Sequence, residues 1–267
     1  MLKKLAGIPK YPIVLCHGLF GFSEIGPFVY FHNITSPLKA MGIHVEATTV
    51  HPTDSIANRA NQLYQQILDV KKKYNTDKVH VIAHSMGGLD ARYAISKLDY
   101  GQSIMSLTTL STPHRGSYIS EWTKLYITDR IQVERILKLF SIPFRAIDEL
   151  APKYIKEEFN TNVLDNENVQ YYSYGAWCKQ PKFRALGLSP LIFYFHSLLQ
   201  EKEGPNDGLV SLASSKWGSQ FQTIENCDHR DLINWSKYDA LPIYLDAINR
   251  LYTLEKQIEF QEKGIVF

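Results

Sequence analysis

The segment VHVIAHSMGGLDARYA, Val79 to Ala94, constrains this chain more than any other: a short, largely aliphatic strand pattern runs into a turn and then a helix. An apolar run that does not alternate with polar residues belongs to a strand covered on both faces, as in a parallel sheet. Tyr11 to Cys16 (YPIVLC), Ile43 to Thr49 (IHVEATT) and Ile104 to Leu110 (IMSLTTL) read as further strands. Between them, Ile56, Ala60, Leu63, Ile67, Val70 and Tyr74 fall on one face of an amphipathic helix, with Asp54 and Ser55 as candidate caps. Lys71, Lys72 and Lys73 read as its solvated end, complementing the helix dipole. Parallel strands need a crossover, and helices of this length supply it, so the expected class is α/β: a mostly parallel central sheet flanked by helices.

Sheet signals return at Val169 to Tyr174 and Phe221 to Ile224, and a last helix is expected over roughly Ala240 to Gln257. The two ends of the chain therefore build one core, a single domain over residues 1–267. From residue 117 to 168 the pattern turns helical, with Val133, Ile136, Leu137 and Phe140 spaced as one face, and this stretch reads as an inserted helical cap.

Composition excludes several function classes. A net charge of +2 with scattered basic residues leaves no electrostatic footprint for nucleic acid. Cys16, Cys178 and Cys227 are too few and too dispersed for a disulfide framework or a thiolate metal site, which points to a reducing compartment. No apolar stretch approaches the ~20 residues of a spanning helix. The start, MLKKLAGIPK, lacks the apolar core and cleavage site of a secretory signal. The expected setting is intracellular, cytoplasmic or mitochondrial, with no transmembrane segment.

Ser85 has a bland reading as a helix N-cap. Ala83-His84-Ser85-Met86-Gly87 also fits the nucleophile-elbow pattern G-x-S-x-G, with alanine at the first small position. Small flanking residues let a strand turn sharply into a helix and present the hydroxyl above the sheet. A serine nucleophile needs a histidine to take its proton and an acid to hold that histidine, in the chain order Ser, acid, His. Gly204-Pro205-Asn206-Asp207-Gly208 is a turn-rich loop that carries an aspartate, and Asp228-His229-Arg230-Asp231 follows the last strand signal. Asp207 and His229 form the favoured pair. His84, His114, His196 and Asp228 compete less well: His196 sits in an apolar run, His84 adjoins the nucleophile, and Asp228 adjoins His229. The developing oxyanion requires backbone N–H groups, expected from Met86 and, in His17-Gly18-Leu19, from Leu19.

With these motifs in order, the sequence resembles the triacylglycerol lipases of the α/β-hydrolase fold, of the Pseudomonas type and more closely the fungal mitochondrial group. The resemblance rests on PIVLCHGLFGF, VHVIAHSMGGLDARYA, LSTPHRGS, GPNDGLVSLASSKWG and DHRDLINW. It implies Ser85 as nucleophile, Asp207 as acid, His229 as base, and Leu19 and Met86 as oxyanion donors. It also implies the short form of the fold, entered at the strand before the oxyanion loop. Bacterial relatives hold a calcium ion through two carboxylates. Asp231 matches one, but no aspartate lies between Asp165 and Asp207 to match the other, so no metal and no cofactor is expected.

The expected reaction is hydrolysis of acylglycerol esters at a lipid–water interface through an acyl-enzyme. Phe20, Phe22, the face carrying Ile136, Leu137 and Phe140, and the run Leu191 to Phe195 are candidate walls of an acyl trough. Phospholipase, thioesterase and acyltransferase activities would use the same triad. A noncatalytic lipid-binding or partner-binding module is the reading from another class, and the filled triad positions argue against it.

Overall fold

The computed structural model of the protein describes residues 5–21, 24–25, 28–127, 144–181, 189–236 and 238–264. Its aliphatic runs form β1 (Ile13–Cys16), β4 (Val45–Ala47), β5 (Val79–His84), β6 (Ile104–Leu110), β7 (Gln170–Trp177) and β8 (Gln220–Glu225), and a short antiparallel hairpin pairs β2 (Glu24–Ile25) with β3 (Phe28–Val29). The large sheet has six strands in the order β4-β1-β5-β6-β7-β8, every neighbouring pair parallel. The helices are α1 (Thr35–Ala40), α2 (Ile56–Tyr74), α3 (Gly87–Ala94), α4 (Tyr118–Ile127), α5 (Phe144–Glu149), α6 (Ser189–Lys202) and α7 (Leu241–Glu262), with shorter helical turns between them.

Both sheet faces are buried, as continuous aliphatic strands require. Ile13, Leu15 and Ile82 point to a layer made by α1 and α7, where Leu38, Tyr244 and Ile248 pack. Their strand neighbours Val14, Cys16, Val81 and Ala83 point the other way, onto Leu63, Ile67 and Val70 of α2 and Ala91 of α3. Ser55 caps α2 by accepting from the Asn58 N–H, while Asp54 holds the Ser55 N–H and the Asn58 amide. Of the lysines at the other end of α2, Lys73 pairs with Glu46 at 2.6 Å and Lys71 donates to Ser103 Oγ at 2.7 Å, so that end is partly tied to the sheet edge.

At the amino end of the sheet, His80 donates through Nε2 to Glu255 on α7 (3.1 Å) and accepts from the Ser106 hydroxyl at Nδ1 (2.7 Å). Glu255 also receives the Lys10 and Tyr11 N–H groups, which anchors the chain entry to the last helix. This cluster is buried, with Ser106 and His80 fully enclosed.

The strand order reverses once, beside β1: the chain runs from β1 outward to β4, then returns across β1 to β5. In open parallel sheets such a switch leaves a crevice beyond the carboxyl ends of the adjacent strands. The loop His17–Gly21 follows β1 and Ser85 follows β5, so both meet in that crevice.

Candidate active site

Ser85 adopts φ 55°, the left-handed region that a non-glycine residue rarely occupies. Its N–H donates to Leu110 O (2.9 Å) and its carbonyl accepts from the Thr112 hydroxyl (2.7 Å), so both adjoining peptides are held. No side chain caps the start of α3, which disposes of the capping reading for Ser85. The neighbouring small residues are steric necessities: a Cβ on Gly87 would lie 2.6 Å from His17 O, and one on Gly88 would lie 2.1 Å from Thr112 Oγ1.

His229 Nδ1 sits 2.7 Å from Asp207 Oδ2, and the His229 N–H donates to Asp207 O at 2.9 Å. The other carboxylate oxygen, Oδ1, accepts from the N–H groups of Leu209 (3.0 Å) and Val210 (2.8 Å). A carboxylate fixed by two peptides can only accept from the ring, so Nδ1 carries the proton and Nε2 presents a lone pair. Ser85 and His229 line one cavity of about 360 Å³.

The loop after β1 is held from three sides. His17 accepts the Val50 N–H at Nε2 (3.1 Å), which leaves Nδ1 to donate to Gly18 O (2.9 Å). Arg59, fully buried, donates to His17 O (3.0 Å) and Gly18 O (3.3 Å) and is held by Asp90 Oδ2 at 2.9 Å and 2.7 Å. The Tyr30 hydroxyl accepts the Gly18 N–H (3.0 Å). Because a trans peptide sets C=O and N–H on opposite sides, fixing Gly18 O against Arg59 and His17 turns the Leu19 N–H away from them. Leu19 lines the cavity, and among the described residues neither its N–H nor that of Met86 has a hydrogen-bond acceptor.

Burial sets the charge states around this loop. It pushes the His17 imidazole down to about 4, with Arg59 adding to the effect, and holds His84 well below the usual histidine range, with His229 second. The Asp90 carboxyl is pushed up to about 6 by burial, opposed by Arg59. Burial also raises the Tyr30 phenol, which keeps its proton.

The competing residues all have structural partners. His196 donates to Cys178 O (2.9 Å), and His114 bonds Thr109 Oγ1 (3.0 Å) while stacking on Trp217. Asp228 accepts the Arg230 and Asp231 N–H groups in the turn after His229. Asp231 is enclosed, accepting the Asp228 N–H and bonding the Ser236 hydroxyl. Its carboxylate is thus committed to the turn. Among the described residues no group of three or more His, Cys, Asp or Glu could hold a metal ion.

Of the expected trough residues, Phe20 lines the cavity and is 52% exposed, and Phe195 lines it from α6. Phe193 and Tyr194 are exposed, because the run lies on a helix that sends successive side chains to different sides. Phe22, Ile136, Leu137 and Phe140 lie outside the described residues. The sequence reading missed Ile119 of α4, Leu150, Val210 and Trp235 as walls, and Arg59, Asp90, Thr112 and Tyr30 as supports. Arg59 had left a trace: three residues beyond Ile56, it is a cation on the apolar stripe of α2. Trp122 of α4 packs edge-on against Phe195 of α6 (5.5 Å), joining the two insertions above the cavity.

Comparisons with known proteins bear on the family and the fold. The profile of the family described as palmitoyl protein thioesterase matches residues 12–181. The chain is similar to triacylglycerol lipase 2 of Saccharomyces cerevisiae, 34% identical across 85% of this chain and 81% of that protein. It is also similar to a triacylglycerol lipase of Pseudomonas fragi, 28% identical across 91% of this chain and 96% of that one. Among solved structures, lipase 1 of Pelosinus fermentans superposes with a TM-score of 0.73 over 91% of this chain and 99% of its own, at 18% identity, a likeness of fold.

Proposed function

Because the chain belongs to the triacylglycerol lipases, carboxylic ester hydrolases of the α/β-hydrolase fold, we propose that it hydrolyses acylglycerol esters through an acyl-enzyme on Ser85. His229 Nε2 takes the Ser85 proton as Oγ attacks the acyl carbon. The carbonyl oxygen becomes an oxyanion that receives the Leu19 and Met86 N–H groups. His229 then protonates the departing alcohol, and the ester to Ser85 remains. Water enters, gives its proton to His229 and attacks the same carbon; the fatty acid leaves and Ser85 recovers its hydrogen. Asp207 keeps the ring in the required tautomer and stabilises the imidazolium of each half-reaction.

A single observation carries this reading: a serine in the left-handed region shares an apolar cavity with a histidine whose far nitrogen is fixed by a buried carboxylate. The helices inserted after β6 and β7 form the cap, and the apolar side chains of Ile119, Leu150 and Phe195 receive the acyl chain. The ester substrate is reached at a lipid–water interface; no helix among the described residues is long and apolar enough to cross a membrane. The thioesterase profile favours a second reading on the same residues, release of a fatty acyl group from sulfur. That profile ends before Asp207 and His229, so it does not bear on the acid and base.

A fluorophosphonate probe followed by assays on emulsified triglyceride and a long-chain acyl thioester tests both. Wild type labels stoichiometrically and Ser85→Ala neither labels nor turns over. Labelling of Ser85→Ala, or none of wild type, overturns the nucleophile; thioester turnover without ester turnover replaces the lipase reading with the second.

A further inference from the structure

Three segments must be in register for this chemistry: the loop after β1, the end of β5 and the loop that carries His229. They come from distant parts of the chain, yet two side chains outside the triad connect them. Tyr30 lies just beyond the short hairpin, 6% exposed, and its hydroxyl accepts the Gly18 N–H (3.0 Å). That hydroxyl is also 2.8 Å from His84 Nδ1, and the opposite ring nitrogen, Nε2, is 3.0 Å from His229 O.

The direction of each bond follows from the ends. His229 O is a carbonyl and can only accept, so His84 Nε2 carries hydrogen. A neutral ring protonated at Nε2 has a bare Nδ1, which takes the Tyr30 hydrogen. Tyr30 is then left with lone pairs for Gly18 N–H. Every donor in the chain has one acceptor, and no other arrangement satisfies all three contacts with a neutral ring. Because the Gly18 N–H is spent on Tyr30, it is removed from the oxyanion site, which is left to Leu19 and Met86.

We infer that Tyr30 is a positioning residue that acts through His84, fixing the oxyanion loop relative to the backbone of the general base. The inference rests on the Ser85–His229 reading above. Tyr30 touches neither reacting atom. Its loss leaves the Gly18 N–H without this acceptor on one side and His84 Nδ1 bare on the other, so the ring can rotate and withdraw its hydrogen bond from His229 O. The position of Leu19 N–H relative to His229 Nε2 is then held less tightly, by Arg59, His17 and Asp207 alone, and the transition state is more sensitive to that distance than substrate binding is.

The test uses the full chain and a soluble p-nitrophenyl ester, with active sites counted by fluorophosphonate. Tyr30→Phe lowers kcat about tenfold or more, the scale of one positioning hydrogen bond, while KM stays within about twofold of wild type. The labelling end point stays at one probe per chain and only its rate falls, whereas a folding defect lowers the end point. His84→Ala falls at least as far, the double variant falls no further than His84→Ala, and His84→Gln, whose amide nitrogen can reach His229 O, recovers part of the loss. If Tyr30→Phe fails to fold, the contrast between His84→Ala and His84→Gln carries the same comparison. Unchanged kcat per labelled site in Tyr30→Phe, losses that multiply in the double variant, or no recovery in His84→Gln overturns the inference. A wild type that does not label defeats instead the reading on which it stands.

Discussion

Gly18→Ala isolates a steric requirement from a conformational one. The Gly18 backbone lies outside the left-handed region, so alanine meets no torsional penalty there, but its Cβ would stand 2.6 Å from Ser85 Cβ and 3.1 Å from both Ser85 Oγ and the Tyr30 hydroxyl. The carbon pair is roughly 1 Å closer than the ~3.5–4.0 Å at which such atoms settle. Ser85 Cβ cannot swing away, since it is fixed by a backbone held at Leu110 and Thr112. The loop must therefore yield by about 1 Å, carrying Leu19 N–H with it. A displacement of that size costs on the order of 10²-fold in rate, about 2.7 kcal/mol of barrier. Overpacking adds about 1–3 kcal/mol of instability, a fall in Tm of between about 2 and 12 °C for a chain of this size. The assay is kcat/KM on a soluble ester at 25 °C per titrated active site, with thermal unfolding alongside. Gly264→Ala is the control, since its φ of +68° strains alanine and nothing lies within 4 Å: it costs stability and no rate. A Gly18→Ala enzyme within about threefold of wild-type kcat/KM refutes the steric reasoning.

Arg59→Met leaves Asp90 buried without its cation and costs about 3–5 kcal/mol. Adding Asp90→Leu recovers most of that stability but not the turnover, because His17 O and Gly18 O still lack the guanidinium that bridged them; recovery of both together counts against a role for Arg59 in holding the loop. The buried, uncharged histidines His17, His84 and His114 make stability depend on pH. Their folded values lie below that of the unfolded chain, so the unfolded state binds more protons; the stabilisation is complete above about 6.5 and drains away as pH falls. His17 alone contributes about 3 kcal/mol between 6.5 and about 4, while Asp90, raised to about 6, works in the opposite sense. Urea midpoints therefore fall between about pH 7 and pH 5, and a flat profile counts against neutral burial.

Sequence alone conveyed the sheet because local pattern and tertiary burial coincide there. IMSLTTL spans β6 from end to end, and the stripe from Ile56 to Tyr74 spans α2. The weaker boundaries are those set by partners: IHVEATT predicts a strand over 43–49, whereas only Val45–Ala47 pairs with β1, and the helix expected in the segment that ends at Ala94 is α3, followed by a π-helical turn to Asp99. The last helix runs on to Glu262, five residues past the expected end, because its final turns are polar and carry no burial signal. At the candidate site, the tight turn at Ser85 was legible from the elbow pattern, and the pairing of Asp207 with His229 from turn-rich loops, since those constraints are local. Tyr30 and Asp90 were not, because nothing near them in sequence announces the Gly18 peptide that one holds and the Arg59 guanidinium that the other holds. The cavity walls were only partly legible for the same reason: Leu150 and Trp235 become neighbours through the fold, while the run Leu191 to Phe195 splits between cavity and solvent once wound into α6.

The buried cluster of Ser106, His80 and Glu255 holds the same three functional groups as a hydrolytic triad, joined in the same order of donation. It sits at the wrong pole of the sheet, where strands begin, with no sharp bend to lift the hydroxyl, and its serine and histidine are fully enclosed. A template matched only on residue types would report two reactive centres in this molecule. Access and backbone curvature, which such a template ignores, separate the triplet proposed for chemistry from the one that fastens the first strand to the last helix.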